Sequence, residues 1–295
     1  MTINQNGTYK NLLAQLEKVV RHTRQGSFKT RDRYTAACKR FCRFLAEVYK
    51  LEKLANVAPK HILAYTEFLQ EKGLSASTIK TDLTAIRFYH DQMPNTKHVL
   101  PDNSELNLAR RKFGGVDRSW SSLEFNRFLA LCLSKNRHDY ACIACLGYYA
   151  GLRIEECFRI DTAKAEKAIQ TNILNVKGKN GKVRDVPIQE SIKIEFAKML
   201  ETKPRGQKLF VAPDEKTHLA IKKLQNFINY HRKCFTGNNL TFHGLRHTYA
   251  QNKYAEFKNK GLSDFEARKK VSELIGHNRD DVTRIYLSKG DEDNV

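Results

Sequence analysis

The first hundred residues place apolar side chains at helical spacing. Tyr9 to Arg24 carries Leu12, Leu13, Leu16, Val19 and Val20, the recurrence of a helix with one buried face. Thr30 to Tyr49 repeats the pattern with Tyr34, Ala37, Phe41, Phe44, Leu45 and Val48. Pro59 suits the first turn of a third helix, which runs to Gln70 and stops at Gly73. Ser75 or Ser77 caps a fourth, which ends before Pro94. Its Ile79, Leu83 and Ile86 share one face, and Lys80, Thr84 and Arg87 share another. Such a helix can pack on its own domain while touching phosphates, although a solvated surface face has the same pattern.

Residues 100–119 break the periodicity with Pro101, the run Arg110-Arg111-Lys112 and Gly114-Gly115, and read as a linker with room for a short helix. Ser121 or Ser122 then caps a helix to about Ser134, followed by a nearly all-apolar, buried helix from about Asp139 to Ala150. In the middle of the chain the period changes. Ile173 to Val176 and Val183 to Ile188 flank Asn180-Gly181, a hairpin signal because both turn residues tolerate positive φ. Leu209 to Val211 reads as a further short strand. Helices return from Thr217 to about Phe235, from about His243 through Phe257, and after Asp280-Asp281. The expected fold is mainly α with a small antiparallel β-sheet: a helical domain over 1–100, a linker over 101–119 and a second domain over 120–295. No internal repeat interrupts it.

Composition narrows the partner. The 295 residues are 41% hydrophobic, enough for real cores, and carry a net charge of +20. That excess points to a polyanion, nucleic acid or an acidic membrane surface. Residues 1–112 hold 20 Lys and Arg against 10 Asp and Glu, so the charge is shared between two bodies rather than gathered in a tail. Met1 to Lys10 lacks the apolar core of a signal peptide, and the apolar stretch Tyr140 to Leu152 is too short to span a bilayer. The seven scattered cysteines suit a reducing compartment. A cytoplasmic protein without membrane attachment is expected. Cys142 and Cys145 form a lone CxxC without a second pair at zinc spacing, so no metal is expected.

Four pieces of the second half carry candidate chemistry. In Gly151-Leu152-Arg153-Ile154-Glu155-Glu156, Arg153 and Glu156 can share a helix face, as a surface ion pair also would. The hairpin puts Lys177, Lys179, Lys182 and Arg184 near its tip. In His243-Gly244-Leu245-Arg246-His247, His243 and Arg246 point the same way on a helix. Arginine offers a fork to phosphate oxygens, and histidine moves protons near neutral pH. Last comes Leu274-Ile275-Gly276-His277, with Tyr286 nine residues after His277. Taken together, two arginines, histidines, a lysine and a tyrosine suit phosphoryl transfer without a metal. Fixed cations stabilise the charge on phosphorus while a hydroxyl attacks. The acidic residues are dispersed rather than clustered as a metal nuclease needs.

In this order the motifs resemble the tyrosine recombinase (phage integrase) family over about residues 120–287. Residues 10–95 are similar to that family's helical SAM-like core-DNA-binding domain, including Gly73 to Ile79 and Ala85 to Tyr89. The resemblance implies an α+β catalytic domain and a site-specific recombinase or integrase working through a 3′-phosphotyrosine intermediate. Arg153, Arg246 and His277 would hold the scissile phosphate. His243 would be acid/base and Tyr286 the nucleophile. Lys179 would protonate the leaving group, with Lys177 and Lys182 as alternatives, and Glu156 would support the arginines. Lys80, Thr84, Arg87, Lys177 and Lys182 are the expected DNA contacts outside the site. No cofactor is implied. The implied partner is double-stranded DNA with inverted-repeat core sites. The protein would be a homotetramer in synapsis and a monomer or weak oligomer when free, nucleoid-associated, with room for accessory DNA-bending or directionality proteins.

The chain departs from the family in three places. The charged stretch 251–270 is long and reads as an extended helix–loop that alters protomer contacts. Only nine residues follow Tyr286, including Asp291-Glu292-Asp293, which argues against cyclic tail exchange. The short N-terminus leaves no space for an additional arm-site domain. Competing readings are a type IB topoisomerase, which would relax supercoils as a monomer, and a DNA-binding protein without catalysis.

Overall fold

The computed structural model describes residues 7–23, 26–110, 117–178, 181, 183–276 and 280–287, apart from the side chains of 28 and 280–282. The chain divides into two compact units, Met1–Lys112 and Phe113–Val295. No helix among the described residues is long and apolar enough to cross a membrane.

The first unit is built from α1 (Gly7–His22), α2 (Phe28–Phe44), α3 (Pro59–Glu71) and α4 (Ala76–His90). Ser27 and Ser75 start α2 and α4 by accepting the main-chain N–H of Thr30 and Thr78, so Ser75 rather than Ser77 is the cap. Leu12, Leu16, Phe41, Tyr65, Leu69, Ile79, Leu83 and Ile86 share one core, each burial worth about 1.5–3 kcal/mol. Asp82 is wholly buried in α4 and accepts from Arg40 of α2 at 2.6 Å. The stretch read as a linker is shared between the units. Leu100 and Leu106 join the first core, and Trp120 joins the second.

The second unit runs through α5 (Ser122–Ser134), α6 (His138–Ala150), α7 (Ile154–Cys157), α8 (Thr162–Thr171), β1 (Ile173–Lys177) and β2 (Val183–Pro187). It continues through α9 (Glu190–Leu200), α10 (Thr217–Tyr230), α11 (Phe242–Asn259), α12 (Asp264–Leu274) and α13 (Asp280–Leu287). Ser121 and Glu124 form a capping box at α5. The apolar α6 packs on α11, and a β-carbon at Gly147 would lie only 3.0 Å from Phe242 and 3.1 Å from Leu245. Trp120 stacks on Phe235 at 5.1 Å and meets Phe128 edge-on.

β1 and β2 pair antiparallel from Ile173↔Pro187 to Lys177↔Val183. Leu174, Val176 and Val186 point into the core, while Asn175 bonds Asp185 across the outer face. Five residues, 178–182, separate the last paired positions, a longer loop than the two-residue turn that Asn180-Gly181 would make alone.

Two sequence expectations need correction, and one region carried none. Leu209 to Val211 forms no strand. Only an isolated bridge joins Asp161 to Lys208, because β-prone residues without a partner edge become buried loop. The periodicity offered no expectation for α8 and α9, which flank the hairpin. The stretch 251–270 is two packed helices rather than a helix–loop. α11 continues to Asn259, and Ser263 and Glu266 cap α12. Those helices and α13 enclose a small separate core of Tyr249, Ala250, Val271, Ile275 and Tyr286.

Candidate active site

Arg246 lies on α11 with no exposed surface. The end of α6 positions it. Gly151 closes that helix at φ +62, and a β-carbon there would lie 2.4 Å from the Tyr249 ring. Glycine is therefore required both for backbone angle and for space. The turn aims the Gly151 carbonyl at Arg246 Nη1, which donates to it at 2.5 Å. Nη2 donates to the Ile275 carbonyl. The buried Nε has no protein acceptor among the described residues. Burial lowers the Arg246 pKa to about 10, with the Tyr286 phenol opposing the effect and the Arg153 charge adding to it. The guanidinium stays charged at neutral pH.

Arg153 stands at the start of α7. Its main-chain N–H donates to Glu156 Oε2 and its Nη1 to Oε1, both at 2.8 Å. Arg184 of β2 reaches the same carboxylate with two bonds, at 2.9 and 2.7 Å. Burial alone would raise the Glu156 pKa, but the Arg184 bonds and charge, with help from Arg153, bring it to about 2. The carboxylate thus ties the hairpin to the Arg153 turn.

Tyr286, on α13, is 5% exposed. Its ring centroid lies 4.5 Å from His247 and 5.6 Å from His243, with the Arg246 guanidinium carbon 5.7 Å away. The two histidines are 5.1 Å apart. Burial lowers His247 to about 4, with His243 and Arg118 adding to the effect. His243 is more open to solvent, and partial burial together with Arg246, Arg153 and Arg118 lowers it to about 4 as well. Both rings are therefore neutral at pH 7 in the free protein. A neutral ring beside a phenol can accept its proton.

Among the expected site residues, Arg153 and Glu156 thus form one bonded pair, while His243 and Arg246 gather around the Tyr286 ring, with Arg246 bonded to the Gly151 carbonyl two residues before Arg153. Lys179, Lys182 and His277 lie outside the described residues. Lys177 ends β1 with an exposed side chain. In the first unit, the expected DNA contacts are engaged within the chain. Lys80 Nζ donates to the Ala109 carbonyl, and Thr84 Oγ1 to the Lys80 carbonyl. Arg87 donates to the Pro101 carbonyl and to Asn103 Oδ1. Sequence reasoning assigned no role to Arg184 or His247. Arg184 did leave a signal: it shares a strand face with buried Val186, where a cation needs a buried partner. Among the described residues no group of three or more His, Cys, Asp or Glu is placed to hold a metal ion.

A helical module followed by a helical module with a hairpin, holding paired arginines, histidines and a tyrosine in contact, is the arrangement of a DNA strand-exchange enzyme. Residues 121–293 match the Phage integrase family, and residues 9–97 match Phage integrase, N-terminal. The chain belongs to the phage integrase family, the tyrosine recombinases. It is 27% identical over 248 residues to tyrosine recombinase XerC of Herpetosiphon aurantiacus, covering 79% of this chain and 76% of that one. It is 25% identical over 268 residues to tyrosine recombinase XerD of Rickettsia conorii, covering 83% of each. Its fold is similar to that of a lambda integrase dimer bound to a COC' core site, with TM-score 0.66, 18% identity, and 96% and 97% of the two chains covered. A lambda integrase tetramer bound to a Holliday junction gives TM-score 0.64 and 16% identity, with 96% and 79% covered.

Proposed function

We propose that this recombinase cuts one DNA strand by attack of Tyr286 on the scissile phosphorus. The tyrosine oxygen–phosphorus bond forms as the bond from phosphorus to the 5′ oxygen breaks, leaving a 3′-phosphotyrosine. The phenolic proton passes to His243, and Lys179 gives a proton to the departing 5′ oxygen. Attack by the 5′-hydroxyl of another strand reverses these transfers and releases Tyr286. Arg153, Arg246 and His277 offset the charge that builds on the phosphoryl oxygens. The phosphotyrosine conserves the bond energy, so rejoining consumes no nucleotide.

The observation that carries this reading is the contact of the Tyr286 ring with His247, His243 and buried, charged Arg246. The partner is double-stranded DNA carrying inverted-repeat core sites, consistent with the net charge of +20. Synapsis involves four protomers. A lambda integrase of like fold is a dimer on a core site in one structure and a tetramer on a Holliday junction in another, which supports that assembly. The place of action is the cytoplasm, at the nucleoid.

The test incubates the protein with supercoiled plasmid and with nicked duplexes bearing sites from its own genetic neighbourhood. A DNA–protein adduct that survives SDS and disappears on proteolysis is expected for the wild type and is absent for Tyr286→Phe. An adduct that persists in Tyr286→Phe would remove Tyr286 from the role.

A further inference from the structure

Tyr286 lies one residue before the end of α13. Gln251 of α11 supplies a donor, with Nε2 3.2 Å from the Tyr286 carbonyl oxygen. The same nitrogen is 3.1 Å from Asp117 Oδ1. A primary amide has two hydrogens, and both neighbours here only accept, so chemistry alone orients the Gln251 side chain.

Asp117 belongs to a clamped strip. Its Oδ1 also accepts from the Ser119 N–H at 2.8 Å. The Trp120 N–H donates to Thr248 Oγ1 at 2.7 Å, and that hydroxyl donates back to the Trp120 carbonyl at 3.0 Å. A β-carbon at Gly244 would lie 2.2 Å from the Arg118 carbonyl oxygen, so the strip presses directly on α11 beside His243. Asp117 is the first described residue after 111–116, where the chain passes from one unit into the other.

We infer that Gln251 is a positioning residue. Its single amide ties the carbonyl end of the nucleophile helix to strip 117–120, so the attack position of Tyr286 depends on the seating of that strip. The inference rests on Tyr286 being the nucleophile. Gln251 bonds the main chain of Tyr286 and the Asp117 carboxylate, so it would act by placing the nucleophile. Its influence therefore falls on cleavage after DNA is bound, and not on DNA affinity.

The test uses full-length protein and a nicked duplex built from a DNA fragment that the wild type itself captures as an SDS-stable adduct. Three quantities are read: single-turnover adduct formation at saturating DNA, DNA Kd, and hydrogen exchange of residues 280–287 in the free protein. Gln251→Leu removes both hydrogen bonds and is expected to slow adduct formation about 10- to 100-fold, the scale of a small misplacement of a reacting group. DNA Kd stays unchanged and exchange in 280–287 rises. Asp117→Ala has the same direction of effect in a second background, whereas Asp117→Asn, which keeps an acceptor, restores most of the rate. Wild-type cleavage by Gln251→Leu overturns the inference. So does a rate loss matched by lost DNA affinity, or Asp117→Asn as slow as Asp117→Ala. Tyr286→Phe runs alongside: an adduct in that variant overturns the assignment of the nucleophile instead.

Discussion

Each unit buries one carboxylate between two arginines, and the two sites differ in what the arginines reach. Asp82 accepts from Arg40 at 2.6 Å and has Arg33 at 3.9 Å, with both cations about half exposed. Its Oδ1 has no hydrogen-bond partner among the described residues. Glu156 receives four bonds, two from Arg184 and two from Arg153, and the Arg184 side chain is only 8% exposed. Asp82 pins α4 to α2 within one bundle. Glu156 joins β2 to the start of α7, and so fixes Arg153, two residues after the Gly151 turn whose carbonyl holds Arg246. The same trio of residue types thus serves as a helix pin in one unit and as a positioning device in the other. Burial of the arginines separates the two. A cation that can turn to water loses little when its partner goes, whereas a buried one is stranded.

Substitution at Glu156 should show the largest effect. Glu156→Ala strands Arg184 and is expected to cost about 3–5 kcal/mol of the second unit's stability. Adduct formation should fall about 100-fold as Arg153 loses its support. Urea unfolding and single-turnover cleavage measure the two losses. An unfolding midpoint equal to wild type would show that the carboxylate is no brace.

Asp82→Ala comes next, with an expected loss of about 1–3 kcal/mol in the first unit. Its rate of adduct formation at saturating DNA should match wild type. A cleavage defect as deep as that of Glu156→Ala would erase the distinction between the two carboxylates.

Acid should have a smaller effect, read in the second unit at His247 and Glu156. An unfolded histidine takes its proton near about pH 6.5, whereas buried His247 does so at about 4. Between those values the unfolded chain binds more protons, so stability falls as pH drops through the window. Glu156 responds lower. Its folded value is about 2 against roughly 4.3 unfolded, so its contribution is intact above that upper value and is lost as pH falls toward 2. The urea midpoint should therefore decline in two stages, and His247→Asn should flatten only the upper one. A midpoint constant from neutral pH down to 4 would contradict the buried neutral histidine. His243 adds in the same direction but less, since its ring is more exposed.

Much of the site was legible in residue order. Arg153, His243, Arg246 and Tyr286 sit in motifs whose spacing can be read directly, and the structure gathers His243 and Arg246 around the Tyr286 ring, with the Arg153 charge close enough to act on His243. Arg184 was not assigned because a hairpin cation ordinarily faces water. Only its register beside Val186 shows that it faces inward. Gln251 leaves no trace in the sequence, because it is one polar residue on a long helix and its partners lie 134 and 35 residues away.

The sequence by itself determined where several helices begin, because capping serines and Pro59 act on their own neighbours through local backbone chemistry. It determined the hairpin through β-prone runs about Asn180-Gly181, and the family through motifs in fixed order. Only the tertiary structure decided that Leu209 to Val211 stays a loop, that 251–270 folds as two helices, and that Arg184 turns inward to complete the Glu156 brace. Those outcomes depend on which distant surfaces remain available for burial and for hydrogen bonding. Packing settles them across the whole unit, so the order of residues in any one segment does not contain them.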